Sequence, residues 1–160
     1  MADDLTRPAN DLYETDYVAW AEAQALALRA RGAGRNALDY DNLAEEVADL
    51  GKSEIHACES QIANIIEHLL KIEFIGPVQT LPHWKKEIRS FRRQLDRHLT
   101  RTIENRLKPR LARAFSDVVG DLVTGELLPS AAVVTNALVD GYSWDQIVGP
   151  DWYPEPRYGD

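Results

Sequence analysis

A chain of 160 residues with 44% hydrophobic and 28% charged side chains has the size and make-up of one soluble globular domain. It holds no run of about 18 apolar residues, so no membrane-crossing helix is expected, and its opening residues Met1 to Pro8 lack the apolar segment of a secretory signal. A cytoplasmic protein is the expectation, and a single cysteine, Cys58, excludes an internal disulfide and falls within the apolar periodicity as a core filler.

Residues 1–11, with Pro8, Asn10 and three aspartates, read as a poorly ordered lead-in. Thr15 or Asp16 can cap a helix running to about Arg31, with Tyr17, Trp20, Ala27 and Leu28 on one face and Gly32 and Gly34 at its end. Asp39, Asp41 and Asn42 compete to cap the central segment, and Asn42 with Glu45 has the spacing of a capping box. Leu43, Val47 and Leu50 form one apolar stripe. Beyond Gly51 the apolar set becomes Ile55, Cys58, Ile62, Ile65, Ile66 and Leu69, rotated by roughly 80° on an ideal helix. Gly51 either bends or ends the helix.

Ile75-Gly76-Pro77 stops this segment, and Thr80-Leu81-Pro82 starts the next. Trp84, Ile88, Phe91, Leu95, Leu99, Ile103 and Leu107 then predict one long amphipathic helix up to Pro109, with Lys85, Arg89, Arg92, Arg93, Arg97 and Arg101 on the opposite face. A further helix follows through Leu111, Phe115, Val118 and Leu122. Ala131 to Leu138 predicts a short helix, and Ser143 with Gln146 a capping box for a last turn from Trp144 to Val148. Residues 155–160 form an extended tail. The pattern predicts an all-α, antiparallel helical bundle of about four main helices, one domain over residues 12–154, with a short C-terminal helix.

Charge is unevenly spread. Residues 1–60 sum to −8 and residues 114–160 to −7, whereas residues 85–113 carry eleven basic side chains against three acidic ones. The simplest use of that basic segment is to neutralise the acidic central helix, with Glu46 paired to one of its arginines.

Tyr13, Asp16, Tyr17, Trp20 and Gln24, then Asn42-Leu43-Ala44-Glu45-Glu46-Val47 and Asp49-Leu50-Gly51-Lys52-Ser53-Glu54, resemble the bacterial proteins grouped as domain of unknown function 29. His68-Leu69-Leu70-Lys71, Trp84, and Trp144 with Ile147 continue the resemblance in order. It implies a compact helical domain in the bacterial cytoplasm, with no activity to carry over. The stretch from Phe74 to His83 and the segment from Arg93 to His98 depart from the family pattern.

Two sets of side chains are candidates for chemistry. Glu54, Gln61 and His68 recur every seven residues and stack along one line of the helix, with Glu46 at the edge of the apolar stripe. Fourteen residues of helix span about 21 Å, so His68 cannot share a ligand with Glu54, and a half-buried imidazole bonded to a neighbouring helix is the expectation. The second set is Arg89, Arg93, Arg97 and His98, whose Arg-x4-His spacing is that of a helical ribonuclease family. It supports the alternative of a nucleic-acid binder or ribonuclease acting through the basic helix 85–106. No histidine has a glutamate three residues before it, so no carboxylate-bundle metal site is expected, and no catalytic residue or cofactor is assigned. The expected role is a non-enzymatic interaction or self-assembling module, partnered by a second copy or another protein, with neither nucleic acid nor membrane. The terminal aromatics Tyr13, Tyr17, Trp144, Trp152, Tyr153 and Tyr158 are candidate interface anchors.

Overall fold

The computed structural model of the chain describes residues 9–31 and 39–158, and every described element is helical. The expected glycine stop at Gly32 and Gly34 lies outside them. Four long helices, α2 (Tyr17–Arg31), α3 (Tyr40–Leu70), α4 (Leu81–His98) and α6 (Leu111–Thr124), dominate an all-α bundle, with the shorter α1 (Ala9–Thr15), α5 (Arg101–Leu107), α7 (Ala131–Thr135) and α8 (Trp144–Val148) between and after them. The helices group into two compact units. The first holds the described residues up to Cys58 with Leu99–Asn105, and the second holds Glu59–His98 and Arg106 onward.

In the first unit, helix begins at Ala9, inside the stretch expected as a lead-in, and pauses only at Asp16. One carboxylate oxygen of Asp16 accepts the Ala19 amide at 3.1 Å, capping α2. The same oxygen accepts the Thr100 hydroxyl at 3.1 Å, and the other accepts the Thr102 amide at 3.1 Å, so the side chain also caps α5. Asp16→Ala therefore removes two caps, each worth about 1 kcal/mol, and is expected to cost about 2 kcal/mol in thermal or urea unfolding. A loss no larger than a single cap would show that the α5 contact adds nothing.

This contact also explains a departure from expectation. The amphipathic helix predicted from Trp84 to Leu107 is two helices, broken at Leu99 and Thr100, because Asp16 and the Thr100 hydroxyl supply a new N-terminus there. Before Tyr40, Asp39 wins the capping competition: its carboxylate accepts the Asn42 amide at 3.2 Å and the Asn42 side chain at 2.6 Å.

Helix α3 runs unbroken through Gly51 for 31 residues. Its buried face consists of Ala44, Gly51, Ile55, Cys58, Ile62, Ile65, Ile66 and Leu69. With Leu43 at zero, these centre near 90° along the whole helix. The apparent rotation at Gly51 came from taking the larger residues as the inward ones. A Cβ on Gly51 would meet the Ala21 Cβ at 3.4 Å and the Val18 carbonyl oxygen at 3.7 Å. The α2 backbone thus lies against α3 through small residues, with Ala21, Ala25 and Ala44 also buried. Leu43 and Leu50 remain outside, 41% and 47% exposed.

In the second unit, α3 ends in a wider π-type turn, Lys71–Ile75, followed by Gly76 at φ +65° and a cis Gly76–Pro77 bond. The positive φ and the Tyr158 ring lying against the space of a Gly76 Cβ both call for glycine there. Helix α8 starts with the expected box: Ser143 Oγ accepts the Gln146 amide, and Gln146 Oε1 accepts the Ser143 amide.

Candidate functional site

Two buried charges in the second unit were not singled out by periodicity. Arg92 sits between Ile88 and Leu95 on the inward face of α4 rather than on the basic face expected for it, and is 6% exposed. Its guanidinium donates to four backbone carbonyls: Nε to Ile147 at 2.8 Å, Nη2 to Gln146 at 2.9 Å and Trp152 at 3.0 Å, and Nη1 to Pro150 at 3.4 Å. These are the oxygens that a short helix and the loop after it leave unpaired. Burial pulls the Arg92 pKa down from its ordinary value, while Tyr153, whose ring lies 5.2 Å below the guanidinium, and Asp151 push the other way.

Glu73, 3% exposed, lies in the π-type turn. Its carboxylate accepts the Tyr142 hydroxyl at 2.7 Å and Arg157 Nε at 2.5 Å, and its carbonyl accepts the Arg157 amide at 2.7 Å. Burial, with the Glu73 hydrogen bond second, raises the Tyr142 phenol above its ordinary range, so it serves as a neutral donor. Beside this network a cleft of about 520 Å³ is lined by Tyr142, Trp152, Tyr153 and Arg157 among others. The aromatics expected as interface anchors at this end are engaged within the unit: Trp152 packs edge-on to Tyr142 at 5.6 Å, Lys108 lies over Trp144, and Lys85 and Arg92 lie over Tyr153. At the other end Tyr13, Tyr17 and Trp20 form a ring cluster of their own.

The polar line of α3 is not a single site. His68 Nδ1 lies 2.8 Å from the Asn64 carbonyl oxygen and Nε2 lies 2.7 Å from Glu87 Oε2 on α4, with Phe91 edge-on to the ring. That is the half-buried imidazole bonded to a neighbouring helix. Gln61 is half-buried with Oε1 unpartnered, Glu54 is half-buried, and Glu46 is exposed and makes no ion pair among the described residues. The Glu46–arginine pair expected from charge is therefore not formed there. Burial, with Glu54 second, pushes the Cys58 thiol up to about 11, which leaves it an unreactive core group.

On α4, Arg89, Arg93, Arg97 and His98 are all exposed. Arg93 and His98, five residues apart on one helix, project about 140° from each other and do not converge. Among the described residues no group of three or more His, Cys, Asp or Glu side chains is placed to hold a metal, and no helix is long and apolar enough to cross a membrane.

The remaining surface of note is the outer face of α3 in the first unit. Leu43 and Leu50 lie on one line with Val47 half-buried beside them, and exposed Asp41, Glu45 and Glu46 edge the stripe. The next acid, Asp49, is paired with Lys52 at 2.6 Å.

These features define an all-α helical domain whose buried polar groups tie helices together and whose exposed groups are arranged in rows along helices. The chain belongs to the family described as Domain of unknown function DUF29, which it matches over residues 12–153. A solved α-helical protein of unknown function from Rhodospirillum rubrum is similar in fold, with 24% identity and a TM-score of 0.68 over 88% of this chain and 90% of that one. No curated protein matches the chain.

Proposed function

We propose that this protein is a non-enzymatic interaction module that docks a protein partner on the outer face of α3 in its first unit. One observation carries the reading: Leu43 and Leu50, one helical line apart, stand in solvent while the opposite small-residue face is packed. A helix that buries alanine and glycine and leaves two leucines outside has kept an apolar stripe for another surface. The buried charges support it, since Arg92 and Glu73 have their hydrogen bonds satisfied inside the fold and offer nothing to a substrate.

Leu43→Glu with Leu50→Glu is the test. Both side chains are largely exposed, so the double variant is expected to keep its thermal midpoint within about 2 °C. Native mass spectrometry of protein taken gently from its own cells is then expected to show a bound protein chain on the wild type and its loss from the variant. A wild type released as a bare single chain, or a variant that keeps its partner in full, would overturn the reading.

A second reading, nucleic-acid binding, retains one supporting observation: Arg89, Arg93 and Arg97 are exposed with no carboxylate partner among the described residues. Its cleaving form has less support, because Arg93 and His98 point apart.

A further inference from the structure

We infer that the partner of the α3 face is the basic face of α4 in a second copy of this chain, an inference that rests on the docking reading above. Lys86, Arg89, Arg93 and Arg97 are exposed on α4 and lie within an arc of about 80° on the side away from buried Ile88 and Leu95. None of the four is paired with a carboxylate among the described residues. Glu87, which sits on the same helix, is turned to His68, and Asp96 stands at the edge of the arc, about 60° from Arg93. The segment therefore presents a row of cations that its own unit does not neutralise.

The first unit presents the complement. Asp41, Glu45 and Asp49 recur every four residues on α3, and Arg89, Arg93 and Arg97 recur every four residues on α4, so both rows have a pitch of about 6 Å. Laid antiparallel, the two helices bring Asp41 to Arg97, Glu45 to Arg93 and Asp49 to Arg89 in one register. Asp49 already holds Lys52, which leaves the first two pairs as the strong ones. The aliphatic stems of the arginines would lie over Leu43 and Leu50, covering the stripe without needing an apolar row on α4. Two α3 faces could not replace this arrangement, since acid would meet acid. Exposed pairs of this kind are individually weak, so the association is low in affinity and sensitive to salt.

The experiment is sedimentation velocity on the full chain and on two charge-reversed variants, Arg89→Glu with Arg93→Glu and Glu45→Arg with Glu46→Arg. All four positions are exposed, and circular dichroism checks that each variant is folded. The wild type is expected to self-associate at about 50 mM salt, with at least tenfold weaker association at about 500 mM, where the screening length falls to a few ångström. Each variant alone is expected to be monomeric. An equal mixture of the two is expected to associate again, because acid then meets base at every contact. A wild type that is monomeric at its highest soluble concentration in low salt overturns the inference, and so does a mixture that stays monomeric. A monomeric wild type that binds duplex RNA, and loses binding with Arg89→Glu and Arg93→Glu, gives the basic face to nucleic acid and overturns it as well. If self-association is absent but the Leu43→Glu, Leu50→Glu variant still sheds a different protein from the native assembly, this inference falls and the docking reading stands.

Discussion

Arg92→Met is expected to lower the thermal midpoint by roughly 10 °C, the largest effect of any single substitution considered for this protein. Methionine fills much of the volume, so the loss is chemical rather than steric. Four carbonyls, those of Gln146, Ile147, Pro150 and Trp152, lose their donor in a place where water has little access. Breaking a buried, fully bonded charge contact of this kind costs about 3–5 kcal/mol. Arg92→Lys keeps the charge but replaces a planar fork with a single ammonium that cannot reach four acceptors spread over seven residues, so an intermediate loss is expected. The unfolding transition is read by fluorescence from Trp144 and Trp152, which lie in the segment Arg92 holds. A drop of only a degree or two in Arg92→Met would mean that the carbonyls find other donors and that the fan is dispensable.

Glu73→Ala is expected to cost about 2–4 kcal/mol, because it leaves the buried Tyr142 hydroxyl without its acceptor and releases Arg157. Arg157 is half-exposed and recovers water contacts, which keeps the figure below that for Arg92. The same pair sets a pH dependence. The unfolded chain loses the Tyr142 proton near pH 10 and the folded chain loses it higher. The phenol's contribution is therefore complete below pH 10 and is lost as pH rises above it. Tyr142→Phe is expected to flatten the alkaline fall in stability. Urea titrations of Glu73→Ala and Tyr142→Phe between neutral and alkaline pH check both statements, and an unchanged alkaline slope would show that Tyr142 titrates alike in both states.

Local signals carried most of the fold. The Ser143–Gln146 box, the stop at Gly76-Pro77 and the start at Leu81 depend on neighbours in sequence, and each element stands where its residues put it. What failed depended on distant partners. Leu43, Val47 and Leu50 look like a core stripe until α2 is known to approach so closely that only Ala44 and Gly51 fit between the backbones. The break at Thr100 is set by a carboxylate 84 residues earlier in the chain. His68 was legible as a bonded, half-buried imidazole, but its partner Glu87 was not. Arg92 did leave a trace, since it falls four residues after Ile88 and three before Leu95, on the apolar line itself. Counting it with the arginines around it hid that position. Glu73 left a similar trace, a lone acid inside Leu69-Leu70-Lys71-Ile72-Glu73-Phe74-Ile75.

The double cap at Asp16 bears on the order in which the protein can be made. The first unit is discontinuous: its α1, its α2 and the start of its α3 precede Cys58, but the residues that complete it, Leu99–Asn105, are synthesised some forty residues later. At a ribosomal pace of about 5–20 residues per second that is a delay of about 2–8 s, during which the second oxygen of Asp16 has no helix to cap. The N-terminal helices emerge first yet cannot reach their final state first. Vectorial folding from one end is thus closed to this chain, and its opening segment must wait, as an unfinished piece, for a stretch from beyond the middle of its own sequence.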